Sequence, residues 1–412
     1  MRSTQFSIVL LFLFSSVFAA ESIPVIDNPR ETPRVNEVHF EEVWRAGADD
    51  GEEFLFGVIS DAVCDAEGNI YLLDTQQQQV FKFSASGEYL GLVSRKGEGP
   101  GEIDRVYNLH APGDGRIAMS KGFPAKIIMV DTEGTPQPGL TLEIAPTEGK
   151  EPGFPMLSAL AFTGDHLVVM GKVMHGDGMR QNNTTFVARF DKEGREVHRY
   201  TQWSSGYDFT KAIVVDELDQ YHPFNNWDMA DDGRIFHTVE RESYLVQVVS
   251  PEGEPLLMIL REWPVHKRTK EEKEKAKNRY SFGSNVDLPP ISYEIADEDP
   301  AISGLGIHGD ELWITSTEQS RQDHPGVARA VSVFDLDGHL IEDRYFLLPR
   351  NPEEDKLTYL PDGRVVRVKA FRSAHAASIA SQRVQVGDKR LSSEDHDEEV
   401  VLEVIVYQPV SR

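Results

Sequence analysis

The chain has 412 residues, and its 68 acidic against 42 basic side chains give a net charge of −26. So acidic a chain repels nucleic acid and anionic membrane surfaces, which argues against both as partners. Its single cysteine, Cys64, excludes an intramolecular disulfide, so packing has to hold the fold.

The N-terminus reads as a targeting segment. Arg2 supplies a short positive region, Ile8 to Phe14 is an unbroken apolar run, and Val17-Phe18-Ala19 fits a small-residue cleavage site. The run is too short to span a bilayer, and no other stretch approaches that length. Cleavage after Ala19 would leave 393 residues. No cysteine follows the signal, so a lipid anchor on cysteine is not expected. A secreted eukaryotic domain of this size more often carries disulfides. The expectation is therefore an exported bacterial protein, periplasmic or secreted, with no membrane insertion. Residues 20–34 read as a linker and 35–412 as one domain.

Within that domain a turn recurs six times between apolar runs. Gly68, Gly115, Asp165, Gly233, Asp310 and Gly363 mark it, at spacings of 47, 50, 68, 77 and 53 residues. A period of about 40 to 50 residues, lengthened twice by insertions, is that of a β-propeller blade. The first copy runs from Gly57 to Cys64, turns at Glu67-Gly68, and continues through Asn69 to Leu73. Val80-Phe-Lys-Phe, a turn at Ser86-Gly87 and Tyr89-Leu-Gly-Leu-Val then complete a four-strand meander, Cys64 reading as a buried inert thiol. The second turn also repeats, at Gly87, Gly134, Gly194, Gly253 and Gly338, each three residues after a Ser or Asp.

The blades are expected over about 57–94, 104–143, 155–202, 224–262, 301–347 and 355–409. The last shows three strands. Val38-His-Phe-Glu-Glu-Val-Trp alternates as its missing partner would, so this N-terminal strand is expected to close the ring. The fold class is therefore all-β, a six-bladed propeller of four-stranded antiparallel blades. Insertions fall over about 203–223 and 263–300. Tyr207 to Phe224 reads as an irregular loop, and Lys267 onward as a short charged helix capped near Thr269. Residues after Lys369 read as a polar segment through Asp397, with Leu391 to Glu399 an acidic loop.

At these residues the chain resembles the bacterial exported six-bladed β-propellers of the NHL-repeat, TolB-like type. Val63-Cys-Asp-Ala-Glu-Gly-Asn-Ile-Tyr-Leu-Leu-Asp is similar to the family's strand–turn–strand ending at Asp74. Lys96-Gly-Glu-Gly-Pro-Gly-Glu-Ile resembles its junction between blades, with Ile103 in place of the usual aromatic. The likeness extends over nearly the whole mature chain and weakens after the first blade. The resemblance implies the fold and leaves function open.

Counting seven residues back from each first turn gives Asp61, Asn108, Ser158, Asn226, Ser303 and Lys356, all polar. The next position is apolar or glycine throughout. Two residues beyond the polar set, His110 and Asp228 add further polar groups. Such alternation suits a strand with one face on a solvated channel. Two readings stand. The polar groups either hydrate the channel and line a ligand site, or Asp61, Asn108, Asn226 and Asp228 offer oxygens to a calcium-like cation. Lys356 would repel that cation. No zinc-spaced histidine pair, HExxH motif or Gly-x-Ser-x-Gly elbow occurs, so no catalytic residue is assigned. The leading expectation is an exported monomeric scaffold that binds a protein or small molecule at the channel mouth, without cofactor. The alternative is a metal-dependent propeller hydrolase or lyase.

Overall fold

A computed structural model describes residues 23–47, 55–146, 153–176, 179–280, 289–317, 319, 326–385 and 402–410. The expected signal over 1–19 and the acidic loop Leu391 to Glu399 lie outside the described residues. β1 (Val25–Asn28) and β2 (Val35–Ala46) come first. The first sheet comprises β3 (Ile59–Cys64), β4 (Ile70–Asp74), β5 (Gln79–Phe83) and β6 (Tyr89–Ser94). The second comprises β7 (Val106–His110), β8 (Arg116–Lys121), β9 (Lys126–Asp131) and β10 (Pro136–Thr141). β11 (Phe154–Thr163), β12 (His166–Gly176), β13 (Arg180–Phe190) and β14 (Glu196–Asp208) build the third. After β15 (Ile213–Asp216), the fourth holds β16 (Trp227–Met229), β17 (Ile235–Thr238), β18 (Leu245–Val249) and β19 (Pro255–Arg261).

Helix α1 (Lys270–Lys277) and β20 (Ile291–Glu294) follow. The fifth group is β21 (Ile302–His308), β22 (Glu311–Ser316), β23 (Val327–Asp335) and β24 (Leu340–Leu347). Last come β25 (Lys356–Tyr359), β26 (Val365–Lys369), helix α2 (Phe371–Gln385) and β27 (Glu403–Pro409). Within each group, strands pair antiparallel in chain order. β2 serves two groups: Phe40–Ala46 runs antiparallel to β27, whereas Val35–His39 runs parallel to β24. β1 adds a parallel strand beside β19.

Sequence alternation explains how the sheets stack. In β4, Ile70 and Leu72 pack towards the sixth group, while Tyr71 and Leu73 pack towards the second sheet. All four are fully buried, because each face of the sheet meets another sheet. Further apolar clusters lie between sheets two and three, three and four, four and five, and five and six.

The recurrent turns have a common geometry. Asp131 N donates to Thr135 O and Gly134 N to Asp131 O, while Asp131 Oδ1 accepts from Glu133 N and Thr135 N. Asp191 and Asp335 repeat this arrangement, and the glycine takes a positive φ that a side chain would strain. The first turn of sheets three and five departs from the expected equivalence. There Thr163 pairs directly with His166 and His308 with Glu311, leaving two-residue turns. Gly164 and Gly309 hold the positive φ, so Asp165 and Asp310 are not the counterparts of Gly68.

Both signature turns lie on one face of the molecule. The connections between sheets lie on the opposite face, where each innermost strand begins. The two long insertions, and α2 after β26, emerge on that connection face. The expected irregular loop Tyr207 to Phe224 is partly regular: β14 extends to Asp208, and β15 pairs parallel with β20 of the second insertion. The buried carboxylate of Glu217 binds Arg268 at 2.9 Å and Arg241 at 3.2 Å, and Arg268 also reaches Asp299 at 2.6 Å. Helix α1 begins at Thr269 with a reciprocal cap to Glu272. The polar segment expected after Lys369 is helical over Phe371–Gln385, an alanine-rich run whose low side-chain entropy cost favours helix.

Candidate functional site

The innermost strands present polar side chains towards the following sheet. Asp61 accepts from Ala62 N at 2.9 Å and, with its other oxygen, from Leu109 N of the second sheet at 2.8 Å. Asp228 repeats this: Met229 N donates at 2.8 Å, and Ile307 N of the fifth sheet donates at 2.8 Å. Burial raises both carboxyls, Asp228 to about 6.

The other expected residues scatter along the first strands of their sheets. Asn108 Nδ2 donates to Ser120 Oγ at 3.3 Å. Asn226 is half-buried, and its backbone carbonyl accepts from Thr238 N at 3.0 Å. Ser158 and Ser303 are exposed at bulges, where the register shifts between Leu157 and Ala159 and between Ile302 and Gly304. The first sheet has the same bulge at Ser60, so Ala159 and Gly304 occupy the level of Asp61, and the two serines stand one residue earlier in their strands. His110 Nε2 is buried without a hydrogen-bond partner, and burial pushes the imidazole down to about 4.

Two subsets are brought together. Lys356 Nζ donates to Ser60 O of the first sheet, and its charge acts on Asp61. Asp228 lies with His308 around Gly306, where an added Cβ would stand 3.7 Å from Asp228 Oδ2 and 3.4 Å from His308 Nε2. His308 stacks on Trp313 at 3.8 Å, and burial pushes it down to about 4. Among the described residues, no three His, Cys, Asp or Glu side chains gather as metal ligands. Each of the four oxygens of Asp61 and Asp228 accepts one backbone N–H group.

Beside Lys356 opens a pocket of about 490 Å³, lined by Arg350, Asp355, Lys356, Leu357, Phe371, Arg372 and His375. Its wall comes from the start of β25, the preceding connection and the first turn of α2. Nearby, the Arg329 guanidinium lies over the rings of Tyr359 at 4.8 Å and Trp313 at 5.8 Å. It has no acidic partner among the described residues, and burial lowers its pKa. The adjacent Arg344 is fully paired, reaching Glu311 at 2.8 and 2.9 Å. Tyr359 Oη is buried without a partner, and burial pushes it up to about 12. Arg350 donates to the carbonyl of Ala328 at 2.6 Å, and its charge acts on both Arg329 and Tyr359.

Sequence reasoning reached Lys356 but missed Arg329, Arg350, Phe371, Arg372 and His375. For the residues on α2 a signal existed: Ala374, Ala376, Ala377 and Ala380 mark a helix beside the strand that carries Lys356.

A family model described as DUF5128, 6-bladed beta-propeller, matches residues 50–110. A search of curated proteins finds no match. Among solved structures, the chain is similar to a DUF4221 family member from Bacteroides vulgatus, with 9% identity and a TM-score of 0.45, covering 92% of this chain and 99% of that one. It is also similar to regucalcin, a calcium-binding protein from Agrobacterium tumefaciens, at 12% identity and a TM-score of 0.37, covering 91% and 96%. Virginiamycin B lyase from Staphylococcus aureus is similar at 10% identity and a TM-score of 0.35, covering 80% and 95%.

Proposed function

We propose that the chain is an exported six-bladed propeller scaffold, closed by β2, that binds a ligand at the channel mouth on its connection face. The pocket at Lys356 carries this reading, because it lies where the innermost strand of the sixth group begins and is walled by an insertion of the same face. The series of apolar clusters supports six blades, since the last joins the sixth group back to the first sheet. No helix among the described residues is long and apolar enough to cross a membrane.

A crystal structure of natively purified protein tests the reading. Ligand density bounded by α2 and the start of β25 is expected. Density confined to the turn face, or between the outer strands, would overturn it. The metal-dependent hydrolase or lyase alternative makes a different forecast, namely stoichiometric calcium by elemental analysis and a melting temperature lowered by chelator. The scaffold reading expects neither. Light scattering that returns one chain's mass checks the monomer.

A further inference from the structure

The pocket at Lys356 has a local charge opposite to that of the whole molecule. Arg350, Lys356 and Arg372 border it. Asp355, the acid in its wall, is neutralised: Oδ2 accepts from Arg367 Nε at 2.8 Å and Asn351 N at 2.7 Å, and Oδ1 from Ala370 N at 3.3 Å. Arg350 spends one N–H on Ala328 O, and Lys356 one on Ser60 O, so both keep further donors. The side chain of Arg372 is exposed. The charge of Arg350 also acts on Arg329, which is buried against two rings and has no acid among the described residues. A chain of net charge −26 thus borders one cavity with three cations beside one paired carboxylate. Like charges held together repel, and an anion removes that cost while pairing the open guanidinium donors. The remaining wall is apolar: Leu357, and Phe371 stacked with His375 at 5.6 Å. About 490 Å³ is a volume suited to a metabolite-sized molecule.

Resting on the mouth-binding reading, we propose that this pocket takes a small organic anion. Its carboxylate or phosphate group sits among Arg350, Lys356 and Arg372, and its apolar body lies against Phe371 and Leu357.

Calorimetric titration with phenylacetate, phenyl phosphate and inorganic phosphate, with benzyl alcohol as the neutral control, tests the assignment. At least one aromatic anion is expected to bind more tightly than benzyl alcohol and inorganic phosphate, and the tighter of the two identifies the head group. Added salt should weaken it. Arg372→Glu, at an exposed position that leaves folding intact, should weaken the anion roughly tenfold or more, the worth of a charged hydrogen bond. Arg372→Lys should retain part of the affinity. Anion binding absent from the wild type, or within twofold of wild type in Arg372→Glu, overturns the proposal. Benzyl alcohol seated in the pocket of a soaked crystal while the anions fail would sink the anion class and leave the mouth reading standing. Anions bound only on the turn face would sink both.

Discussion

Asp61 and Asp228 tie neighbouring sheets together with both carboxylate oxygens, and the two differ in what surrounds them. Lys356 offsets part of the burial cost at Asp61, whereas Asp228 has no such cation among the causes of its shift. The folded pKa of Asp228, about 6, stands above an unfolded value near 3.9. Between those values the folded chain holds the proton more tightly, so this residue's contribution to stability is complete at about pH 4 and declines as pH rises through 6. The difference corresponds to about 3 kcal/mol. Urea unfolding of wild type and Asp228→Asn at pH 4.5 and pH 7 should therefore show the balance moving towards Asn at the higher pH. An unchanged difference would show that the carboxyl titrates normally. The polarity of Asp61, Asp228 and Lys356 was legible from strand alternation, because they share one side of their strands. Ser158 and Ser303 were displaced by the shorter turn of their sheets, which a count of residues does not register. Arg329 was illegible for another reason: Trp313 and Tyr359, which hold it, come from other strands of two sheets.

At the scale of elements, the joins between sheets matter as much as the strands. Gln78, in the loop between β4 and β5, accepts from Val106 N at 2.9 Å and donates to Thr75 O at 2.8 Å. It holds the second sheet's first strand, and it does so from φ 56°, a conformation that costs a residue with Cβ about 1 kcal/mol or more. Removing its amide orphans a buried N–H at a cost of about 1–3 kcal/mol. Gln78→Ala incurs that loss and keeps the backbone strain, while Gln78→Gly incurs the loss and relieves the strain. The glycine variant should be the more stable of the two by about 1 kcal/mol, both below wild type, as read from urea midpoints. Equal midpoints would remove the strain argument. The turns were readable because Asp-x-x-Gly writes its own hydrogen bonds. Helix α2 was overlooked because its flanking polar sequence resembled a loop. The β15–β20 pair was invisible because it joins two insertions remote in sequence and too short to show a period.

For the whole molecule, the decisive element is β2. Its alternation was legible, but its division between two neighbours was not, since one strand pairing parallel with β24 and antiparallel with β27 leaves no signature in composition. Five of its residues pair with β24 and six with β27. At about 1 kcal/mol net for each backbone hydrogen bond, that seam is worth on the order of 10 kcal/mol. A typical domain's total stability is about 5–15 kcal/mol, so loss of β2 should abolish folding rather than loosen it. The exposed edges of β24 and β27 would then be free to pair with other chains. A protein beginning at Leu55 should therefore lack the single cooperative thermal transition of the full chain and should aggregate. Supplying residues 23–47 as a separate peptide should restore the transition in a concentration-dependent way, because the peptide now binds from solution. A truncated chain that melts cooperatively near the wild-type temperature would show that the apolar contacts between sheets, without the strand that joins the last two groups, suffice to hold the molecule.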